Sequence, residues 1–124
     1  MISTDPLDHT RLRDLVTQFV EIGIAQYHAM YVIDNAKYNR LFAKMNLIRK
    51  ELQEMPGDQR RALLPLLSHS NVQVRLAAAR SLLALYPDLA RNALESIRES
   101  GTEPQNGEAA TAIRRLDEGS YIPK

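Results

Sequence analysis

The residues through which this chain could do chemistry are three histidines, a serine–histidine–serine turn and several neighbouring carboxylates, and their spacing gives each a quieter role. His9, His28 and His69 fall in three separate segments, and no two stand four apart on one helical face, as a pair of metal-binding imidazoles would. Ser68-His69-Ser70 has the residue types of a hydrolase. A nucleophile, however, needs an oriented base and an oxyanion pocket, and no G-x-S-x-G elbow is written here. These serines are expected to cap helices and form turns. Asp117-Glu118 and the pair Glu51 and Glu54 sit at helix ends or exposed faces, where solvation and the helix dipole account for them. Acid–base catalysis would need an apolar cleft that shifts one carboxyl. Gly101 and Gly107 bracket the polar loop GTEPQNG, which follows no strand, so no phosphate cradle is predicted. Cysteine is absent, which removes thiolate nucleophiles, thiolate metal sites and disulfides. The reading is of no catalytic, cofactor-binding or metal-binding residue and no enzyme activity.

Composition points the same way. A chain of 124 residues fits one domain, 1–124, and an apolar share of 44% with a charged share of 25% is that of a folded globular protein. The formal charge of +1 is too small for the broad positive field of a dedicated nucleic-acid binder, so any basic recognition must be local. The N-terminus MISTDPLDHT has no basic patch leading into an apolar run, and no segment approaches eighteen uninterrupted apolar residues, so no membrane contact is expected and a cytoplasmic location is.

The elements that must position everything are helices. Asp5-Pro6 is a start signal, after which Leu12, Leu15, Val16, Phe19, Gly23, Tyr27 and Met30 recur at spacings of three and four. Asp34-Asn35 caps a second helix with the stripe Tyr38, Leu41, Phe42, Met45, Ile48, Leu52 and Met55, stopped by Pro56-Gly57. A third follows Asp58, with Pro65 as a kink or early end. The fourth, over 71–85, is apolar in nearly every direction and keeps only a narrow water-facing strip through Gln73, Ala77, Arg80 and Ala84. Such a helix must have neighbours on several sides. A fifth opens at Tyr86-Pro87-Asp88 and closes at Gly101, and a sixth ends at Gly119. The spacing predicts helices over about 6–31, 34–55, 58–68, 71–85, 87–100 and 107–118, with no strand. Shifting the chain by 31 residues aligns Pro56 with Pro87, Leu63 with Leu94, Ala78 with Ala109 and Leu82 with Ile113. That offset is one helix–turn–helix unit, the length at which stacked repeats share a core.

Val74-Arg75, Ala78-Ala79 and Leu82-Leu83 resemble the second helix of a HEAT or armadillo-type repeat. More closely, Asn39-Arg40-Leu41-Phe42, the run from Arg61 to Leu67, Val74-Arg75-Leu76-Ala77-Ala78 and Leu116-Asp117-Glu118-Gly119 resemble a family of small bacterial proteins of unknown function, over about residues 10–122. The resemblance implies an all-α, short α-solenoid (HEAT-like) of about six helices in three antiparallel hairpins. It implies no activity, although HEAT-like folds elsewhere support lyase and base-excision chemistry.

Two surfaces follow from this arrangement. Arg40, Lys50, Gln73, Arg80 and Arg115 turn away from their apolar stripes and are expected to line a mildly basic groove for an acidic protein segment or, as an alternative, a nucleic-acid backbone. On the first helix Val20, Ile24 and Tyr31 form an apolar line about 100° from the main stripe, with Tyr27 between the two, to be covered by the chain's own ends, a homodimer or a protein partner. Arg75, on an apolar sector, is read as structural. It should find a carboxylate, with Asp88 and Asp58 as candidates, or carbonyls on a neighbouring helix. The function predicted is a non-enzymatic interaction module, with a protein partner favoured over nucleic acid.

Overall fold

A computed structural model describes residues 6–124, with side chains from His9 onward; Asp5, expected to start the first helix, lies outside the described residues. Six helices and no strand are found there: α1 (Pro6–Tyr31), α2 (Asn35–Glu54), a 3-10 helix (Gln59–Ser68), α3 (Val72–Leu82), α4 (Pro87–Glu99) and α5 (Gln105–Glu118). The chain divides into two compact units, Met1–Ala62 and Leu63–Lys124.

In the first unit α1 packs against α2. Leu15, Phe19, Gln26 and Ala29 are the buried face of α1 together with Gly23, and Met45, Ile48 and Leu52 that of α2. The helices run antiparallel, because Arg11 near the start of α1 reaches Glu51 near the end of α2 through two bonds, Nε to Oε2 at 2.6 Å and Nη2 to Oε1 at 2.8 Å. Tyr27, expected within the main stripe, is 39% exposed, and Phe42 is 47% exposed and stacked on Tyr38 with ring centroids 6.5 Å apart. Both lie on flanks of the buried sector, where an aromatic ring can cover one edge of the core while keeping its other face in water.

The turn between α1 and α2 is an unusual helix ending. The Asp34 N–H donates to the Ala29 carbonyl at 2.8 Å and the Ile33 N–H to that of Met30 at 3.2 Å, the paired bonds of a Schellman motif. Its left-handed position is normally glycine, and α5 ends that way: Gly119 has φ 72°, its N–H bonds to Leu116 O and that of Ser120 to Arg115 O. In α1 the same position is Ile33, a β-branched residue at φ 58°.

The second unit is organised around α3, eight of whose eleven residues are buried: Val72, Gln73, Val74, Leu76, Ala78, Ala79, Ser81 and Leu82. Ala78 and Ala79, both fully buried, let neighbours approach closely, and α4 and α5 pack on this helix and on each other. Ala90, Leu94 and Ile97 of α4, Gln105, Ala109 and Ile113 of α5, and Leu63 and Leu83 are buried with it. α4 and α5 are antiparallel too, since Arg91 in the first turns of one bonds Asp117 in the last turn of the other at 2.7 and 3.1 Å.

Several boundaries differ from the sequence reading for local reasons. The third element is a 3-10 helix over Gln59–Ser68 rather than a helix from 58, and Pro65 within it has no N–H to give to an α-helical ladder. α3 stops at Leu82 instead of 85, because the N–H groups of Leu85 and Tyr86 both turn back to the Leu82 carbonyl. α5 starts two residues early, with the Glu108 N–H bonded to Pro104 O.

Ile33 yields a stability prediction. Left-handed backbone costs a β-branched residue roughly 1–2 kcal/mol, and a side chain 79% exposed returns little of it through burial. Ile33→Gly is expected to stabilise the protein by about 1 kcal/mol, a rise of a few degrees in the thermal midpoint. Calorimetry showing a lowered midpoint would remove the strain argument.

Candidate interaction surfaces

Several of the groups with chemical potential are engaged in holding the fold. His69 Nδ1 accepts the Asn71 N–H at 3.0 Å inside the turn that leads into α3, and Asn71 Oδ1 in turn caps α3 by accepting from Gln73 and Val74. His9 and His28 are exposed. Among the described residues no three histidines or carboxylates gather as a metal site. Glu51 and Asp117, read as solvated carboxylates, are each gripped by an arginine. The hydrogen bonds from Arg11 and Arg91 hold these two carboxyls below the usual carboxylate range, against a small opposing effect of burial.

In the second unit Leu83, Ala84, Pro87, Asp88, Arg91, Leu116 and Pro123 line a shallow groove of about 360 Å³. Its one guanidinium is already shared between Asp117 and Glu95, the latter at 3.3 Å. The groove thus offers a reacting molecule no unengaged cation.

The basic-groove residues fare unequally. Gln73 does not face water: it is 3% exposed, and its Oε1 accepts from Gln105 Nε2 at 3.1 Å. An amide on an otherwise apolar helix found a second amide 32 positions away, a pairing no local pattern announces. Arg80 is half-buried in the last turn of α3 and Arg115 exposed in the last turn of α5, positions where a cation complements the helix dipole. Arg40 and Lys50 are exposed on α2. Ten residues separate them, about 15 Å along the axis and about 80° around it, so they do not share a face. Arg40 instead aligns with the exposed Lys37 and Lys44, at spacings of three and four. Residues 35–50 hold five cations and no carboxylate, a signal visible in the sequence once charge is counted helix by helix.

Arg75 finds carbonyls, though not where expected. Its Nη1 donates to the carbonyls of His69 at 2.7 Å and Ser70 at 3.1 Å, closing the turn just before its own helix. Asp58, named as a partner for it, belongs to Arg60. Arg60 is 6% exposed, and it donates from Nε and Nη2 to the two carboxylate oxygens of Asp58 at 2.9 and 2.6 Å.

The apolar line on α1 is open to solvent for most of its length. Val20 is half-buried, but Ile24 is 45% and Tyr31 80% exposed, and the line runs on into Val32 and Ile33 at the hairpin tip. Tyr121 and Ile122, candidates to cover it, are themselves exposed.

The described residues thus form an all-helical protein with exposed apolar and cationic surfaces on its first helix pair. The chain belongs to the family described as Domain of unknown function (DUF2019), whose profile matches residues 13–117. Among solved structures it is similar to the protein RPA1889 from Rhodopseudomonas palustris CGA009, with 42% sequence identity and a TM-score of 0.89 over 91% of this chain and 93% of that one. A search of curated proteins gives no match.

The Asp58–Arg60 pair sets a pH prediction. The hydrogen bond from Arg60 holds the Asp58 carboxyl below its ordinary value, outweighing partial burial. The unfolded chain therefore takes up this proton first as pH falls. The stabilisation is present above about pH 4, the unfolded value, and disappears as pH drops through the folded one. Asp58→Asn should cost about 1–2 kcal/mol at pH 7, and the gap to wild type should narrow steadily as pH falls below about 4. Urea melts across that range measure it, and a gap independent of pH would contradict the assignment.

Proposed function

We propose that the protein is a macromolecular-interaction module that binds another protein by surface complementarity and performs no bond chemistry. In the same reading it works in the cytoplasm, on a short HEAT-like stack of helical hairpins. The antiparallel pairs α1–α2 and α4–α5 and the small residues Ala78 and Ala79 support that architecture. Helices formed in advance lose little conformational entropy on association.

One observation carries the function: Ile33, 79% exposed, occupies a left-handed turn position that glycine fills in the matching motif of α5. A bulky apolar side chain held in water against its backbone preference contributes nothing to folding that glycine would not. Its neighbours Tyr31 and Val32 are exposed as well. Together they make a surface that serves something outside the fold.

A second reading, binding of a nucleic-acid backbone, rests on the row Lys37, Arg40 and Lys44. The overall charge of +1 ranks it behind a protein partner.

Affinity capture with the wild-type chain and with Tyr31→Asp, both verified as folded by circular dichroism, tests the proposal. At least one protein held by the wild type should be lost with the variant, and no duplex should bind even at about 50 mM salt. Identical captured sets would overturn the α1 flank as the working surface.

A further inference from the structure

We infer that α1 carries a self-association seam through which two copies of this chain pair antiparallel about a two-fold axis. The inference rests on the reading of the chain as an interaction module and names the partner of its α1 flank as a second copy.

The spacing along the flank comes first. Thr17, Val20, Ile24, Tyr27 and Tyr31 follow at intervals of three, four, three and four. An average of about 3.5 keeps such a stripe aligned with a second helix over its whole length, as in the seam of a coiled coil. An ordinary core-facing stripe is broader and drifts around the helix. Here α1 has both: its broad stripe, through Leu15, Phe19, Gln26 and Ala29, is buried, while the narrow one is left open. The open flank also points away from α2, since Arg11, which bridges to Glu51, lies about 140° around the helix from Ile24.

Side-chain size and charge then select the second copy and its direction. In an antiparallel pair, Ile24 of each copy meets Tyr27 of the other and Val20 meets Tyr31, so each layer combines a large residue with a smaller one. A parallel pair would set Tyr31 against Tyr31 and Val20 against Val20. Glu21 and His28, both exposed, stand seven residues apart on one edge of the seam. Reversing the second helix brings the carboxylate of Glu21 opposite the imidazole of His28, and symmetry makes the contact twice. In a parallel pair Glu21 would face Val16 or Gly23 and gain no donor. At each end of the antiparallel seam, Arg13 falls near the hairpin tip of the other copy, where Asp34 is exposed.

The area is adequate for a moderate dimer. The exposed parts of Ile24, Tyr27, Tyr31, Val32 and Ile33 amount to roughly 500 Å² of apolar surface, near the upper end of what a monomer shows. The exposed polar residues Arg13, Thr17, Glu21 and His28 along its edges extend this footprint.

Sedimentation equilibrium of the full chain from about 10 µM to about 1 mM, a span suited to moderate dimers, is the test. The wild-type mass should climb from 14.0 kDa toward twice that value. Ile24→Glu should weaken association at least about tenfold, and so should His28→Glu, which sets two carboxylates face to face at both symmetric contacts. The double variant Glu21→Lys with His28→Glu restores opposite charges and should return to within about threefold of wild type. All three changes are at exposed positions, and circular dichroism checks that each chain is folded. A wild type that stays monomeric at the highest concentration overturns the inference, as does a dimer insensitive to His28→Glu. If the wild type is monomeric while Tyr31→Asp still loses its captured protein, the second copy falls and the interaction module stands. A monomer whose capture is untouched by Tyr31→Asp overturns both.

Discussion

Burial of α3 on almost every side is the constraint from which the second unit follows. A helix with eight buried residues among eleven must satisfy its polar groups without water. It does so at both ends and in the middle. Asn71 takes up the first N–H groups, Ser81 donates back to the Ala77 carbonyl at 2.8 Å, and Gln73 accepts from Gln105. Arg75 closes the entry by holding two carbonyls of the preceding turn. The apolar remainder is then free to be covered by α4 and α5, and alanines at 78 and 79 permit the close approach.

The first unit has the opposite character. Of the large apolar residues left exposed, Ile24, Tyr27, Tyr31, Val32, Ile33, Phe42 and Leu47 belong to it, against Leu89, Tyr121 and Ile122 in the second. It also holds the cationic run of α2. Exposed apolar and cationic surface is therefore concentrated on the α1–α2 hairpin, while the second unit spends its polarity on internal closure.

Most of the helices were legible because apolar residues at spacings of three and four record the face that will be hidden, whatever hides it. The stripes of Leu15 and Phe19 and of Met45, Ile48 and Leu52 were read correctly for that reason. What escaped depends on partners distant in sequence or on backbone geometry. Gln73 looked like a surface residue because its type is polar, and only Gln105 across the unit makes its burial tolerable. Ile33 gave no warning, since nothing in Val-Ile-Asp names a Schellman turn, whereas Gly119 announced one openly. The row Lys37, Arg40 and Lys44 is legible in the sequence as cations at spacings of three and four, whereas Arg40 and Lys50, both off the apolar stripe, face different ways. Arg75 finds the carbonyls its sequence position allows, but those of the turn just before its own helix rather than of a neighbouring helix.

The two exposed arginine–carboxylate clasps share an overlooked geometry. Arg11 with Glu51 and Arg91 with Asp117 each fasten the end of an antiparallel pair where the chain does not itself turn back. The opposite end is joined covalently by a short loop, so each pair resembles a hinge with a latch. Such latches are solvated and screened by salt. Added salt should therefore loosen the latched end only slightly while the buried seam holds, and give each pair a built-in direction of fraying. For α1 the looped end is also where Tyr31, Val32 and Ile33 are presented, so the exposed apolar tip sits at the end of the pair that the chain itself closes.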